Sequence, residues 1–217
     1  MEISNYFAFD QNTPGIRKKF KKGEIIFNED SPSTGLYFLI SGIVKIYSLD
    51  DCGKEIILRL AGPGDILGYY FIFNSNVNQN SAKVISNSDF HYVEKKTLLG
   101  LNRTDNLIFD YIIGKIGQEL LVYQDKSIDL VRKNVRERLA SFFCYMAKHH
   151  SEVINDKVKI TVQLSREEIA SMIGTANETA IRFISEFKEI GLIEEIDRSF
   201  KILEMDKMIK LAKPSYV

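Results

Sequence analysis

Asn177, Glu178 and Arg182 are the residues of this chain whose types and spacing could do the most specific chemistry. Arginine can donate two parallel hydrogen bonds to guanine, glutamate can accept from the cytosine amino group, and asparagine can pair with adenine. Such chemistry needs a helix that holds the three side chains on one outward face. The sequence supplies it. Ile181, Ile184, Phe187 and Ile190 recur at helical spacing and are expected to point inward, leaving Asn177, Glu178, Arg182 and Ser185 outside. Upstream, Ser165 stands three residues before Glu168, the capping-box spacing that satisfies free backbone N–H groups at a helix start. Ile169, Met172 and Ile173 then form one apolar face, and Gly174 breaks the helix. Thr175 and Glu178 repeat the capping-box spacing, which predicts a second helix. Gly191 ends it, and LIEEIDRSFKILEM reads as two strand-like runs around Asp197–Phe200, a β-wing. Short helix, glycine turn and second helix with base-bonding side chains at its front predict a helix-turn-helix. An ordinary core hairpin has the same periodicity; the polar types at the helix front favour the DNA-reading alternative.

The remaining elements form two further blocks. From Arg17 to about Lys96, short runs rich in Ile, Val, Leu, Phe and Tyr alternate with Gly, Pro and Asp, which predicts a closed or sandwiched β-domain. Turn signals lie at Asp50–Gly53 and Gly62–Asp65. From Thr97 to Arg132 the pattern becomes helical, with Ile112, Ile116, Leu120 and Tyr123 spaced three to four apart. A helix this long reaches about 40 Å and cannot bury both faces against a small β-domain, so a second copy is its natural partner. The expected seam is Ile112, Ile116, Leu120 and Tyr123. Asn134–His150 predicts another helix, Ser151–Asp156 a polar loop, and Val158–Leu164 a strand leading into the helix-turn-helix. The domain boundaries are placed at 1–100, 101–134 and 135–217.

Composition constrains partners and compartment. The 217 residues are 45% hydrophobic and 27% charged, ordinary for a soluble globular protein. The apolar runs fall far short of a membrane span, and the start, MEISNYFAFDQ, lacks the basic flank of a signal peptide. Cys52 and Cys144 stand far apart, as expected of free thiols in a reducing cytoplasm, and no metal site is expected. Basic and acidic residues number 29 each, and 12 basic residues face 13 acidic ones between Glu137 and Val217. Phosphate neutralisation supplies much of the affinity of DNA-binding proteins, so any basic surface here must be local. Candidates are Arg132, Lys133, Arg136, Arg138, Arg166, Arg182, Lys188, Arg198 and Lys201. The chain shows no Ser/His/Asp set, metal-spaced His/Cys group or Walker-type loop, so catalysis is not expected.

Four segments, in this order, resemble the bacterial cyclic-AMP receptor protein / fumarate-nitrate reductase regulator (CRP/FNR) family over nearly the full chain. They are Lys22–Phe27, Ser41–Val44, Gly62–Gly68 and Leu164–Ala170. The resemblance implies an α+β architecture: an N-terminal cyclic-nucleotide-binding-type β-roll (a double-stranded β-helix), a long dimerisation helix and a C-terminal winged helix-turn-helix. It implies a homodimer that regulates transcription from double-stranded DNA at a two-fold symmetric site, with RNA polymerase as a further partner and a small molecule as effector. Glu178 and Arg182 match the family's base-contacting Arg-Glu-x-x-x-Arg pattern, Asn177 departs from its first Arg, and Arg166 and Thr179 fall where the family contacts phosphate.

The effector pocket departs further. Nucleotide-binding members carry a Gly-Glu pair whose acid holds the ribose, then an Arg-Ser-Ala or Arg-Thr-Ala whose Arg neutralises the cyclic phosphate. This chain reads Gly68-Tyr69 and Asn80-Ser81-Ala82, with Tyr123 and Gln124 where the family meets adenine. An amide does not replace a charge-assisted bidentate contact, so cyclic AMP is not the expected effector. Gly68, Tyr69, Tyr70, Asn80, Ser81, Tyr123 and Gln124 remain the candidate pocket residues. No cysteine precedes Cys52 to hold an oxygen-sensing cluster, and His91, His149 and His150 read as packed or solvated side chains. The competing reading keeps the sensor and drops the DNA: a ligand-sensing or protein-interaction module whose near-neutral winged helix contacts another protein.

Overall fold

The computed structural model describes residues 14–73, 75–101, 107–154 and 157–213. The chain divides into two compact units, Met1–Leu121 and Val122–Val217, with the division inside a long helix, between the boundaries expected at 100 and 134.

Six strands build the first unit: β1 (Ile16–Phe20), β2 (Ile25–Phe27), β3 (Gly35–Leu49), β4 (Glu55–Ala61), β5 (Ile66–Leu67) and β6 (Ser81–Glu94). They form one antiparallel sheet in the order β1-β6-β3-β4, with β2 on β6 and β5 on β3. The 15-residue β3 and 14-residue β6 pair from Gly35↔Glu94 to Tyr47↔Ser81, with three register shifts between Leu39 and Val44. Such bulges bend a strand, which lets two long strands curl into a roll. Alternate side chains enter two separate cores, as the period of a strand requires. Tyr37, Leu39, Phe90 and Tyr92 join one cluster. Leu36, Phe38 and Val93 join the other, covered by Leu98 of α1 (Lys95–Leu99) and by Ile108 and Ile112 of α2 (Leu107–Arg132). Both expected turns form. The Asp50 amide donates to the Lys54 carbonyl, and the Asp65 amide donates to the Gly62 carbonyl.

The second unit continues with α3 (Val135–His149), β7 (Ser151–Ile154), β8 (Lys157–Ile160), α4 (Arg166–Ile173), α5 (Asn177–Glu189), β9 (Ile193–Ile196), β10 (Ser199–Ile202) and α6 (Met205–Ala212). Its four strands run β7-β8-β10-β9. Phe143 of α3 centres the core, its ring 6.2 Å from that of Phe187 on α5 and 5.2 Å from that of Phe200 on β10. Buried aromatics of this kind contribute roughly 1.5–3 kcal/mol each. Two sequence expectations change, and one element is added. The loop expected from Ser151 opens as β7 because its backbone pairs with β8 from Ser151↔Ile160 to Ile154↔Lys157, while positions 155 and 156 lie outside the described residues. The strand expected to reach Leu164 ends at Ile160, as Val162 and Leu164 turn into the core. And α6 follows the wing, burying Met208 and Ala212, with Ser141 of α3 donating to the Ala212 carbonyl.

No described helix is long and apolar enough to cross a membrane. Among the described residues no cluster of three or more His, Cys, Asp or Glu could hold a metal ion. The segment MEISNYFAFDQ lies outside the described residues.

Candidate nucleic-acid interface and β-roll pocket

The helix-turn-helix is fixed by backbone chemistry readable in its sequence. Ser165 Oγ accepts from the Glu168 amide at 3.1 Å, and Glu168 Oε2 accepts from the Ser165 amide at 2.9 Å, closing the capping box of α4. Gly174 caps the other end at φ 65°, ψ 54°, the left-handed region in which a β-carbon is strained. Arg138 of α3 braces this turn, donating to the carbonyls of Ile173 at 2.7 Å and Gly174 at 3.1 Å. Sequence reasoning placed Arg138 on a basic surface; its guanidinium is instead taken up by the last carbonyls of α4.

Helix α5 begins one step later than the capping-box spacing predicted. Ala176 is its N-cap, no side chain caps it, and the Thr175–Glu178 box does not form. Asn177 and Glu178 therefore occupy the first turn, where the backbone N–H groups lack intrahelical acceptors. The buried stripe is Ala180, Ile184 and Phe187. Ile181 and Ile190, expected inside, are 42% and 53% exposed, because the stripe facing Phe143 runs through 180, 184 and 187 instead. Glu178, Arg182 and Ser185 are exposed, as their types require for contact with a partner. The Arg182 guanidinium lies 4.8 Å from the centre of the Phe183 ring, a cation–π contact that orients it. Thr179 is half-buried. Asn177 is half-buried too, with its Oδ1 enclosed and without a hydrogen-bond partner.

The wing is a two-residue hairpin, β9 to β10, with Asp197 at φ 52° and Arg198 at φ 62° at its tip. Two successive positive φ angles match the strand twist of a primed turn, although neither residue is the Asn or Gly that adopts them most readily. Arg198 is exposed at this tip. Arg166, at the start of α4, pairs with Glu195 of β9 at 2.7 Å and lies 4.8 Å from the Phe200 ring centre. Lys188 reaches the same carboxylate at 3.0 Å. The Lys188 ammonium first, with Arg166 adding to it, holds the Glu195 carboxyl below the usual range. Of the other proposed basic residues, Arg136 pairs with Glu186 at 2.6 Å and Lys133 with Asp129 at 2.8 Å. Local charge is thus largely paired within the domain, leaving Arg132, Arg182 and Arg198 as exposed guanidiniums.

In the first unit, a pocket lies between the roll and α2, lined by Gly68, Tyr69, Tyr70 and Asn80 from the expected set and by Arg59 and Glu119, which the sequence reading missed. Gly68 sits at φ 76°, and a β-carbon there would come 2.7 Å from the Gly35 carbonyl oxygen. Ser81, expected in the pocket, accepts from the Glu29 amide at 2.9 Å and so completes a strand-edge contact. Tyr123 and Gln124 belong to the second unit and are not among the lining residues. Arg59 Nε donates to Glu119 Oε1 at 2.8 Å and Arg59 Nη2 donates to the Ile66 carbonyl at 3.2 Å. Tyr69 donates to the same glutamate, and burial, with the Glu119 charge, pushes its hydroxyl far above the usual tyrosine range. Asn80 Nδ2 donates to the Tyr70 hydroxyl. Asp65, 3.7 Å from Arg59, is also held by Lys115 at 3.4 Å. These groups leave only about 10 Å³ of open space.

The four residues expected to form a seam on α2 do not share one exposed face. Ile112 is 1% exposed and belongs to the β-roll core, and Ile116 packs half-buried against it, so neither faces outward. The first unit draws them in because α2 lies across its outer cluster. Leu120 is 66% exposed, in line with Ile113 at 68% and Leu121 at 60%. Tyr123 is half-buried. Of the histidines, His91 is half-buried with Nε2 3.0 Å from the Pro14 carbonyl, His150 is buried and His149 is exposed, the last two with their rings against Tyr145. Both cysteines are free, and burial pushes the Cys144 thiol up to about 11.

Comparisons with known proteins agree with this geometry. Residues 17–105 match the cyclic nucleotide-binding domain family and residues 137–211 the Crp-like helix-turn-helix domain family. The chain is 25% identical over 194 residues to the CRP-like cAMP-activated global transcriptional regulator of Mycobacterium tuberculosis (strain ATCC 25618 / H37Rv), covering 89% of this chain and 87% of that protein. It is 24% identical over 204 residues to the nitrogen fixation regulation protein FixK of Bradyrhizobium diazoefficiens, covering 91% and 82%. In fold it resembles a CRP-family transcriptional regulator from Thermus thermophilus, with a TM-score of 0.79 at 20% identity over 90% of this chain and 96% of that one. FixK2 from Bradyrhizobium japonicum gives 0.78 at 22% identity over 92% and 98%. With a cyclic nucleotide-binding domain followed by a Crp-like helix-turn-helix, the chain belongs to the CRP/FNR family of bacterial transcription regulators, a family of DNA-binding proteins rather than enzymes.

Proposed function

We propose that this chain is a homodimeric, sequence-specific regulator that binds a two-fold symmetric double-stranded DNA site. The observation that carries the reading is the outer face of α5, where Glu178 and Arg182 stand exposed while Ala180, Ile184 and Phe187 lock the opposite face into the core. A rigid helix with an acid and a guanidinium on its front surface is suited to cytosine and guanine in the major groove. Thr179, the uncapped start of α5 and Arg198 at the wing tip are suited to phosphates. The apolar stripe Ile113, Leu120 and Leu121 on α2 supports pairing with a second copy, since a helix with an exposed apolar row gains by burying it. RNA polymerase is the protein partner that a transcription regulator engages. We assign no cyclic AMP to the pocket: its ribose and phosphate positions carry Tyr69 and Asn80, both committed to internal hydrogen bonds.

A second reading has specific support. Arg166, Arg136, Arg138 and Lys133 are engaged within the domain, so a winged helix of balanced charge could dock on a protein instead. Titration of a mixed-sequence duplex pool over rising salt separates the two. The DNA reading predicts binding whose log affinity falls linearly with log salt. Absence of binding at low salt supports the protein partner.

A further inference from the structure

We infer that Glu119 is a tethered anion for the β-roll pocket: its carboxylate, carried on α2, occupies the seat on Arg59 and closes the pocket from within the chain. The inference deepens the pocket reading above and is independent of DNA binding. Arg59 is 9% exposed and sits on β4, facing inward. A guanidinium so enclosed must be met by an anion or by several acceptors, because its desolvation is otherwise uncompensated. It is met by the Glu119 carboxylate and the Ile66 carbonyl, with Asp65 at 3.7 Å. The carboxylate is buried as well, its side chain 12% exposed. Its second support is Tyr69, whose ring lies against that of Tyr70, ring centres 4.9 Å apart, and Tyr70 is held by Asn80. The polar chain Asn80, Tyr70, Tyr69, Glu119, Arg59 therefore runs from the residue before β6 through α2 to β4.

Space leads to the same conclusion. The remaining opening, about 10 Å³, is the room of a single water, whereas small-molecule sites measure about 300–1,000 Å³. Tyr69 and Tyr70 fill the volume and Glu119 provides the charge. Lys115 and Asp65 complete a local set in which two cations balance two carboxylates. A further anion on Arg59 would have to displace Glu119 and free α2 from β4. One ion pair both neutralises the pocket and ties α2 to β4, beside the packing of Ile108 and Ile112.

Chemical rescue tests this. Glu119→Ala removes an acetate-sized fragment and leaves Arg59 with the more distant Asp65 as its one carboxylate among the contacts described. Thermal midpoints are followed in acetate and in chloride at equal ionic strength. The expected result is a midpoint lowered by about 5–10 °C in Glu119→Ala, regained by about 3 °C in acetate with saturation. Glu119→Gln, which keeps the volume and loses the charge, is expected to be lowered and not rescued, because its amide leaves no room. Arg59→Met combined with Glu119→Ala is expected to show no acetate response, and wild type none beyond that in chloride. Near-wild-type melting of both single variants overturns the inference. So does an acetate response as large in wild type as in Glu119→Ala. Because the readout is melting, loss of the DNA reading leaves these outcomes unaffected.

Discussion

Arg166 Nη2 lies 2.7 Å from Glu195 Oε2, so the guanidinium at the start of α4 is neutralised by the wing of its own domain. The same carboxylate takes Lys188, which makes Glu195 the shared counter-ion of two cations, one at the start of α4 and one on α5. Replacing it with Gln should free both. Glu195→Gln is expected to raise affinity for duplexes of any sequence and to steepen the log affinity–log salt slope by up to about 0.9 per freed cation. Fluorescence anisotropy at three salt concentrations checks this; an unchanged slope means that the freed cations do not reach phosphate.

The carboxyl of Glu195 also sets a pH dependence. Its folded value is held below its ordinary 4.5, by Lys188 first and then with Arg166. A depressed carboxyl contributes stability that is fully present above about 4.5 and is lost as pH falls below it. Glu137, held below its usual range chiefly by Lys213, adds in the same direction. Thermal midpoints are expected to fall on acidification below that point, less steeply in Glu195→Gln than in wild type.

Arg182→Ala should cost about 1–3 kcal/mol of specific binding and relax discrimination at one position per half-site. Arg182 is exposed and its contact with Phe183 is local, so the fold should be retained. Competition binding against single-base variants of the site measures both effects.

At the wing tip, Arg198 holds φ 62° without being glycine. Arg198→Gly should relieve about 1 kcal/mol of backbone strain and so raise the melting midpoint. The same change should weaken binding to all duplexes alike and lower the salt slope by about one contact. A gain in stability without loss of affinity would mean that the tip stays clear of DNA.

On α2 the outward residues are Ile113, Leu120 and Leu121. Leu120→Asp should shift a sedimentation profile toward monomer while preserving the β-roll. Ile112→Asp should instead unfold the first unit, as it places a charge in its core.

What could be read from the sequence was local. The Ser165–Glu168 box, the Gly174 turn and the wing followed from spacing within a few residues, and each forms. Thr175–Glu178 has the same spacing and forms nothing, because Ala176 rather than Thr175 starts the helix. Periodicity identified α2 but could not decide which of its apolar rows meets the roll: apolar residues occur on several sides, and Ile112 proved to be inside. Arg59 and Glu119 stand 60 residues apart in a chain full of charges, and only the curl of β3 and β6 with α2 across them makes them a pair. Helix α6 had a readable signal in Met205, Met208, Ile209 and Ala212, which sequence reasoning passed over.

The most direct test of sequence-specific DNA binding is selection of wild-type protein, stripped of small molecules, against a random duplex library, followed by sequencing. The predicted result is enrichment of a palindromic motif with half-sites about one helical turn apart, which Arg182→Ala leaves degenerate at one position per half-site. Recovery of no motif beyond that retained by Arg182→Ala would contradict it.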